Sequence, residues 1–177
     1  HVNSKINPVE DLETIKTEII LSDIDIIQKK LEKGKKKLLE DKQIKILEEK
    51  LKQLNQGEEI ITNDETEKKL LSTLGLLSIK PKIIVCNVDE ESLARGNSFT
   101  DEVKKKYLSD KIVTICADIE DQIMGLDDNE RETFMKEIGL NKTGLNQLIK
   151  EGYELLNLDT FFTSGPEESR AWTVKKN

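Results

Sequence analysis

The chain has 177 residues, of which 36% are charged, 36% hydrophobic and 4% aromatic, with a formal net charge of -7. That length bounds one ordinary domain, or one domain joined to part of another. No apolar run approaches the roughly 20 residues of a membrane-spanning helix, and the N-terminus lacks the basic, apolar and small-residue succession of a signal peptide, so a cytoplasmic location is expected.

His1 is the only histidine, which excludes His-dependent hydrolysis and argues against a zinc site. Cys86 and Cys116 each end an apolar, β-like run and read as buried reduced thiols. Opening on His1 instead of methionine, the chain reads as a fragment. Charge is segregated. Residues 29–52 hold ten lysines against five carboxylates, a local +5 within an acidic chain, and such a block is either a solvated helical face or a surface for nucleic acid.

In chain order, Asn7, Pro8 and Glu10 form a helix start: an Asn cap, Pro at the first helical position and a Glu that reaches back to the cap. Val9, Leu12, Ile15, Ile19, Ile20, Ile24, Ile27 and Leu31 then recur every three or four residues along one side. Ile44, Leu47, Leu51 and Leu54 supply a second stripe, which predicts an antiparallel α-hairpin turning near Glu40, Asp41 and Lys42. Gly34 is an alternative bend, although the Leu31 to Leu38 spacing favours a helix that passes through it. Thr62 to Glu65 suggest a further capping box, followed by Leu70, Leu71 and Leu74 and a terminating Gly75.

After Pro81 the pattern changes to Lys82-Ile83-Ile84-Val85-Cys86, a β-branched run predicting a buried parallel strand, and Lys111-Ile112-Val113-Thr114-Ile115-Cys116 repeats it. A helix over 100–108, carrying Val103 and Tyr107 inward, would complete one right-handed β-α-β unit. Helices opened by Asp127 and Thr143 are expected to cover the sheet, with Phe134 and Ile138 on the first and Leu145, Leu148, Ile149 and Leu156 on the second. Thr160-Phe161-Phe162-Thr163, a Gly165-Pro166 turn and Ala171-Trp172-Thr173-Val174 predict two further strands.

Ligands of open parallel sheets sit at the carboxyl ends of the strands. The candidates there are Asn87-Val88-Asp89-Glu90 and Ala117-Asp118-Ile119-Glu120. An asparagine amide offers a donor and an acceptor together and a carboxylate accepts from amines, so strand, Asn, two residues and an acid suit the edge of a purine base. The bland alternative is that Asn87 caps a turn and Glu90 is solvated.

These residues resemble the YchF-type, or Obg-like, P-loop ATPases of the translation-factor class of GTPases. Lys80-Pro81 with Ile84-Val85-Cys86-Asn87-Val88-Asp89-Glu90 is similar to that family's Asn-x-x-Glu version of the GTPase base motif. Cys116-Ala117-Asp118 resembles its second base loop with Cys in place of Ser, and Asn7-Pro8 with Asp11 and Glu13 resembles the entry to its helical domain. Gly152-Tyr153-Glu154-Leu155-Leu156, continuing through Arg170-Ala171-Trp172-Thr173-Val174, resembles the junction into its TGS domain, a β-rich module associated with RNA and ribosome binding.

The resemblance implies an α/β fold: a partial P-loop NTPase sheet of one β-α-β unit, an α-helical hairpin insertion and the start of a TGS domain. Residues 1–7 would end a nucleotide-domain strand, 8–75 form the helical insertion, 76–157 the C-terminal part of the nucleotide domain, and 158–177 the beginning of TGS. It makes Asn87, Val88, Glu90, Cys116, Ala117 and Asp118 the base-binding positions. The parent would use ATP, or more weakly GTP, with Mg²⁺, and would associate with ribosome or RNA. No Gly-x-x-x-x-Gly-Lys-Ser/Thr string and no Asp-x-x-Gly switch occurs in the 177 residues, so no catalytic residue and no metal ligand is assigned, and hydrolysis by the chain alone is not expected. Asn141-Lys142-Thr143-Gly144 mimics a guanine motif but reads as a helix start. Lys29, Lys30, Lys33, Lys35, Lys36 and Lys37 are candidates for nucleic-acid contact. The alternative reading is a non-enzymatic RNA- or protein-interaction module built on the basic hairpin.

Overall fold

The computed structural model describes residues 6–34, 39–62 and 64–176. The fold is α/β, and the chain divides into two compact units, His1–Lys80 and Pro81–Asn177.

The first unit is helical. Helix α1 spans Pro8–Gly34, opened by the Asn7 cap: Asn7 Oδ1 accepts the Glu10 N–H at 3.2 Å and Nδ2 donates to the Glu10 carboxylate at 2.9 Å. Helix α2, Asp41–Asn55, packs against α1 and is capped by Glu40. Asp41 and Lys42 are therefore helical and not part of the turn. Helix α1 is described as far as Gly34, and the expected passage of the helix beyond it falls on residues 35–38, outside the described residues. Helix α3, Glu65–Leu74, ends on Gly75 in the left-handed conformation with φ 73°, where a side chain would be strained. Its cap is Asp64 and not Thr62. Asp64 accepts from the N–H groups of Thr66 and Glu67, while the Thr62 hydroxyl donates to Glu67.

Ile20, Ile27, Leu31, Leu47, Leu54, Ile60, Leu71 and Leu76 form the core of this unit. The two predicted stripes meet there from Ile20 onward, with Ile24, Ile44 and Leu51 packed against the core, whereas Ile15 faces solvent and Val9, Leu12 and Ile19 lie outside it. Two charged groups are buried with them. Asp23 accepts from the N–H groups of Leu77 and Ser78, both at 2.8 Å, and Lys50 pairs with Glu67 at 3.0 Å.

The second unit begins with strand β1, Ile83–Asn87, and after the short helix α4, Glu90–Leu93, continues into α5, Ser98–Lys106, and β2, Lys111–Ile115. The strands pair in parallel, Ile83 with Lys111 through Asn87 with Ile115. Helix α5 starts two residues earlier than expected because Asn97 caps it reciprocally with Thr100. Val103 is buried, Tyr107 is the half-buried C-cap, and Leu108 lies exposed beyond the helix. The expectation of a buried strand fails for β1. Val85 is 41% exposed, because among the described residues the sheet has two strands and one face of β1 is left open.

Helix α6, Ala117–Met124, follows β2. Helix α7, Asp128–Glu137, is capped by Asp127, and α8, Gly144–Leu155, by Thr143. Of these two, only α8 lies on the sheet as expected. Phe134, Met135 and Ile138 of the α7 region pack on Cys116, Ile119 and Ile123, so α7 covers α6. Helix α8 packs on β2, yet its Leu145, Ile149 and the following Leu156 are exposed. Strands β3, Leu158–Ser164, and β4, Ser169–Lys175, form an antiparallel hairpin with Phe161 opposite Trp172.

Candidate functional site

The carboxyl ends of β1 and β2 form one rim. Asn87, the last residue of β1, lies in register with Ile115, the last of β2. Two hydrogen bonds tie the loops that leave them. Asn87 Oδ1 accepts the Ala117 N–H at 3.0 Å, and the Val88 N–H donates to the Ile115 carbonyl at 2.8 Å. Oδ1 keeps a second lone pair, and Nδ2 remains as a donor. The solvated-turn alternative is thus half right: Asn87 does hold a loop, but the loop it holds belongs to the other strand.

Past Val88 the chain turns into α4. Asp89 caps it, accepting the Ser92 N–H at 2.8 Å. The Ser92 hydroxyl and then its N–H hold the Asp89 carboxyl below the usual aspartate range. Glu90 is the exposed first residue of α4. Across the rim Cys116 is 1% exposed and occupies the N-cap of α6 without a side-chain capping bond. Helices α3, α5, α7 and α8 are each capped by an Asp, Asn or Thr side chain, whereas α6 is not. Ala117 donates to Asn87, and exposed Asp118 follows it in the first turn. Backbone N–H groups at an uncapped helix start are donors aimed outward. With Asn87 Nδ2, and with the Glu90 carboxylate as acceptor, the residues present fit the mixed donor and acceptor edge of a purine base.

Cys116 is buried and Cys86 half-buried, and burial pushes the Cys86 thiol up. Both are poor nucleophiles in that setting. Among the candidate lysines, Lys29 is exposed and donates to Asp25 at 2.6 Å, Lys30 is half-buried, and Lys33 is exposed in the last turn of α1. Lys35, Lys36 and Lys37 lie outside the described residues. Two grooves lie away from the rim. One of about 400 Å³ runs between α8 and β3, lined by Tyr153 and Lys150 among others, and one of about 320 Å³ lies between α1 and the end of α2. Neither lies at the carboxyl ends of the parallel strands, and the rim remains the candidate. No helix among the described residues is long and apolar enough to cross a membrane.

Sequence reasoning missed the support beneath the rim. Glu120 Oε1 accepts the Gly144 N–H at 2.6 Å, which joins α6 to the start of α8. The available signal was Thr143-Gly144, a capping residue followed by glycine where another residue would make a better helix.

No family model matches the chain. Curated relatives do. The ribosome-binding ATPase YchF of Escherichia coli O157:H7 is 38% identical over 183 residues, covering 98% of this chain and 50% of the relative. That of Bacillus subtilis is 35% identical over 187 residues, with 99% and 51% covered. That of Mycoplasma genitalium is 39% identical over 192 residues, again with 99% and 51% covered. The chain spans about half the length of the curated relatives it matches. Among solved structures, the Schizosaccharomyces pombe YchF GTPase superposes with a TM-score of 0.84 at 24% identity, over 99% of this chain and 51% of that one, a likeness of fold.

Proposed function

This chain belongs, along the stretch it spans, to the YchF-type, Obg-like family, and from that premise we propose that it supplies the base-reading part of an ATP site. The observation that carries the reading is the Asn87 to Ala117 hydrogen bond, which brings the ends of two parallel strands into one rim. Asn87 Nδ2 donates to a ring nitrogen of adenine, its Oδ1 accepts from the exocyclic amine through the remaining lone pair, and the N–H groups at the start of α6 meet a further ring acceptor. Glu90 accepts from an amine or ring N–H. Cys116 takes the place of a serine, so the second loop contributes through its backbone.

The Mg²⁺-bound triphosphate supplies the chemistry of hydrolysis when nucleotide is bound. Residues beyond these 177 hold the phosphates and the metal, since the Gly-rich phosphate string is absent from them. In the same reading, residues 1–7 end a strand of the nucleotide domain and 8–75 are its helical insertion. Residues 76–157 complete the nucleotide domain, and 158–177 begin a TGS domain. In this reading the parent is a cytoplasmic, ribosome-associated ATPase; its relatives are named ribosome-binding ATPases.

The test is Asn87→Ala in the full-length protein, followed by titration of ATP and GTP. Losing one hydrogen-bonding side chain at the base edge weakens both nucleotides by about tenfold. Unchanged affinities in a folded variant would contradict the reading.

A further inference from the structure

Both base loops hang from one joint, the passage from β2 into α6. Ile115, at the end of β2, receives the Val88 N–H on its carbonyl, and Ala117, at the start of α6, donates to Asn87. The same joint is braced from behind by the first residue of α8. Gly144 is buried, its N–H donates to Glu120 of α6 at 2.6 Å, and a Cβ placed on it would stand 2.7 Å from Ile115 Cγ2 and 3.0 Å from Glu120 Oε1. The first is shorter than real Cβ contacts and the second tighter than most, so any larger residue would have to push Ile115 and Glu120 aside for α8 to seat against β2 and α6. The partly buried Glu120 carboxylate meets an N–H that Thr143 does not cap, because the Thr143 hydroxyl accepts from Asn146 at 3.1 Å. Helix α8 is held along its length as well. Lys111, which opens β2, donates to Glu151 at 2.6 Å.

We infer that Glu120 and Gly144 are positioning residues for base recognition: they set the distance and angle between the 87–90 loop and the 116–118 loop without touching the nucleotide. The inference rests on the reading of that rim as the purine site. Loss of the brace leaves the backbone donors of α6 and the Asn87 amide present but misaligned. The contribution of the base to affinity falls, and that of the phosphates does not.

The experiment compares ATP with inorganic tripolyphosphate, which has no base, by titration calorimetry on the full-length protein. Asn87→Ala serves as the reference for a lost base contact and Glu120→Gln as the conservative control, since the amide oxygen still accepts the Gly144 N–H. Glu120→Ala and Gly144→Ala are each expected to weaken ATP by about fivefold to tenfold, the scale of one misplaced hydrogen bond. Tripolyphosphate binding stays within about twofold of wild type on the same scale, and Glu120→Gln stays near wild type for both ligands. Should Asn87→Ala lose ATP affinity while Glu120→Ala and Gly144→Ala retain it, the positioning role is overturned and the base site stands. Equal weakening of ATP and tripolyphosphate would also overturn it, as the mark of general destabilisation. Retention of ATP affinity by Asn87→Ala would instead remove the base site itself. If Glu120→Ala does not fold, Gly144→Ala strains the joint from the opposite side and decides the matter, with Glu120→Gln showing whether the acceptor suffices.

Discussion

Asp23 anchors the first unit by a means that α1 does not reveal by itself. Its carboxylate is fully buried on the same side of the helix as Ile20 and Ile27, and both oxygens are used, on the N–H groups of Leu77 and Ser78 some 54 positions away. A buried carboxylate is tolerated only when hydrogen-bonded, and here it closes the turn that follows α3. Asp23→Ala is therefore expected to lower stability by about 3 kcal/mol, two bonds to a charged acceptor at about 1.5 kcal/mol each, measured by urea denaturation. A change under about 0.5 kcal/mol, the usual scale of a surface substitution, would show that the turn holds without it. Residues whose partners are near in the chain were legible in the sequence: the Asn7, Asp127 and Thr143 caps act on N–H groups two or three positions away. Asp23, Lys50 and Glu120 act on groups far along the chain, and the only trace each leaves is a polar residue on a face that otherwise packs.

At the scale of the element, the start of α3 concentrates carboxylates whose protons are held off by the fold. The N–H groups of Glu67 and then Thr66 hold Asp64 below the usual range, the Lys68 ammonium does so for Glu65, and the Thr62 hydroxyl followed by Lys50 does so for Glu67. A carboxylate with a lowered folded-state pKa adds stability that is complete above the unfolded value, near 4, and disappears as pH falls through the folded value. Helix α3 should thus loosen in acid, below about pH 4 on that scale. Asp64→Asn keeps an acceptor for Thr66 and Glu67 but cannot titrate, so its thermal melting is expected to depend less on pH between about 5 and 2.5 than that of the wild type. An identical pH dependence would mean that Asp64 is not part of the acid response. Helix and strand positions were legible from periodicity, and the paired parallel strands β1 and β2 follow the two β-branched runs. Burial was not. The same run Ile83-Ile84-Val85 is half-covered, because composition reports what a strand can bury and neighbouring elements decide what it does bury.

Across the whole molecule, two units carry different kinds of order. The first buries two apolar stripes and closes on Asp23, and the second arranges helices around a pair of parallel strands whose ends meet in the rim. The pairing of Asn87 with the second loop could be anticipated, since the ends of neighbouring parallel strands must lie side by side. The brace by α8 could not, because Asn141-Lys142-Thr143-Gly144 resembles a nucleotide motif in sequence and serves as a helix start in the fold. The relatives are named ATPases and the structural neighbour a GTPase, so purine preference is where the proposed site is most exposed to test. Guanine offers an N1–H and an N2 amine that call for a closely placed carboxylate, whereas adenine offers one amine with acceptors beside it. The measurement is the ratio of GTP to ATP affinity, by titration, in the full-length protein carrying Val88→Lys and Glu90→Asp. A shorter carboxylate and the GTPase lysine should move that ratio toward GTP by about tenfold or more, the scale of one buried polar mismatch. An unchanged ratio in a folded variant would mean that the base is read elsewhere.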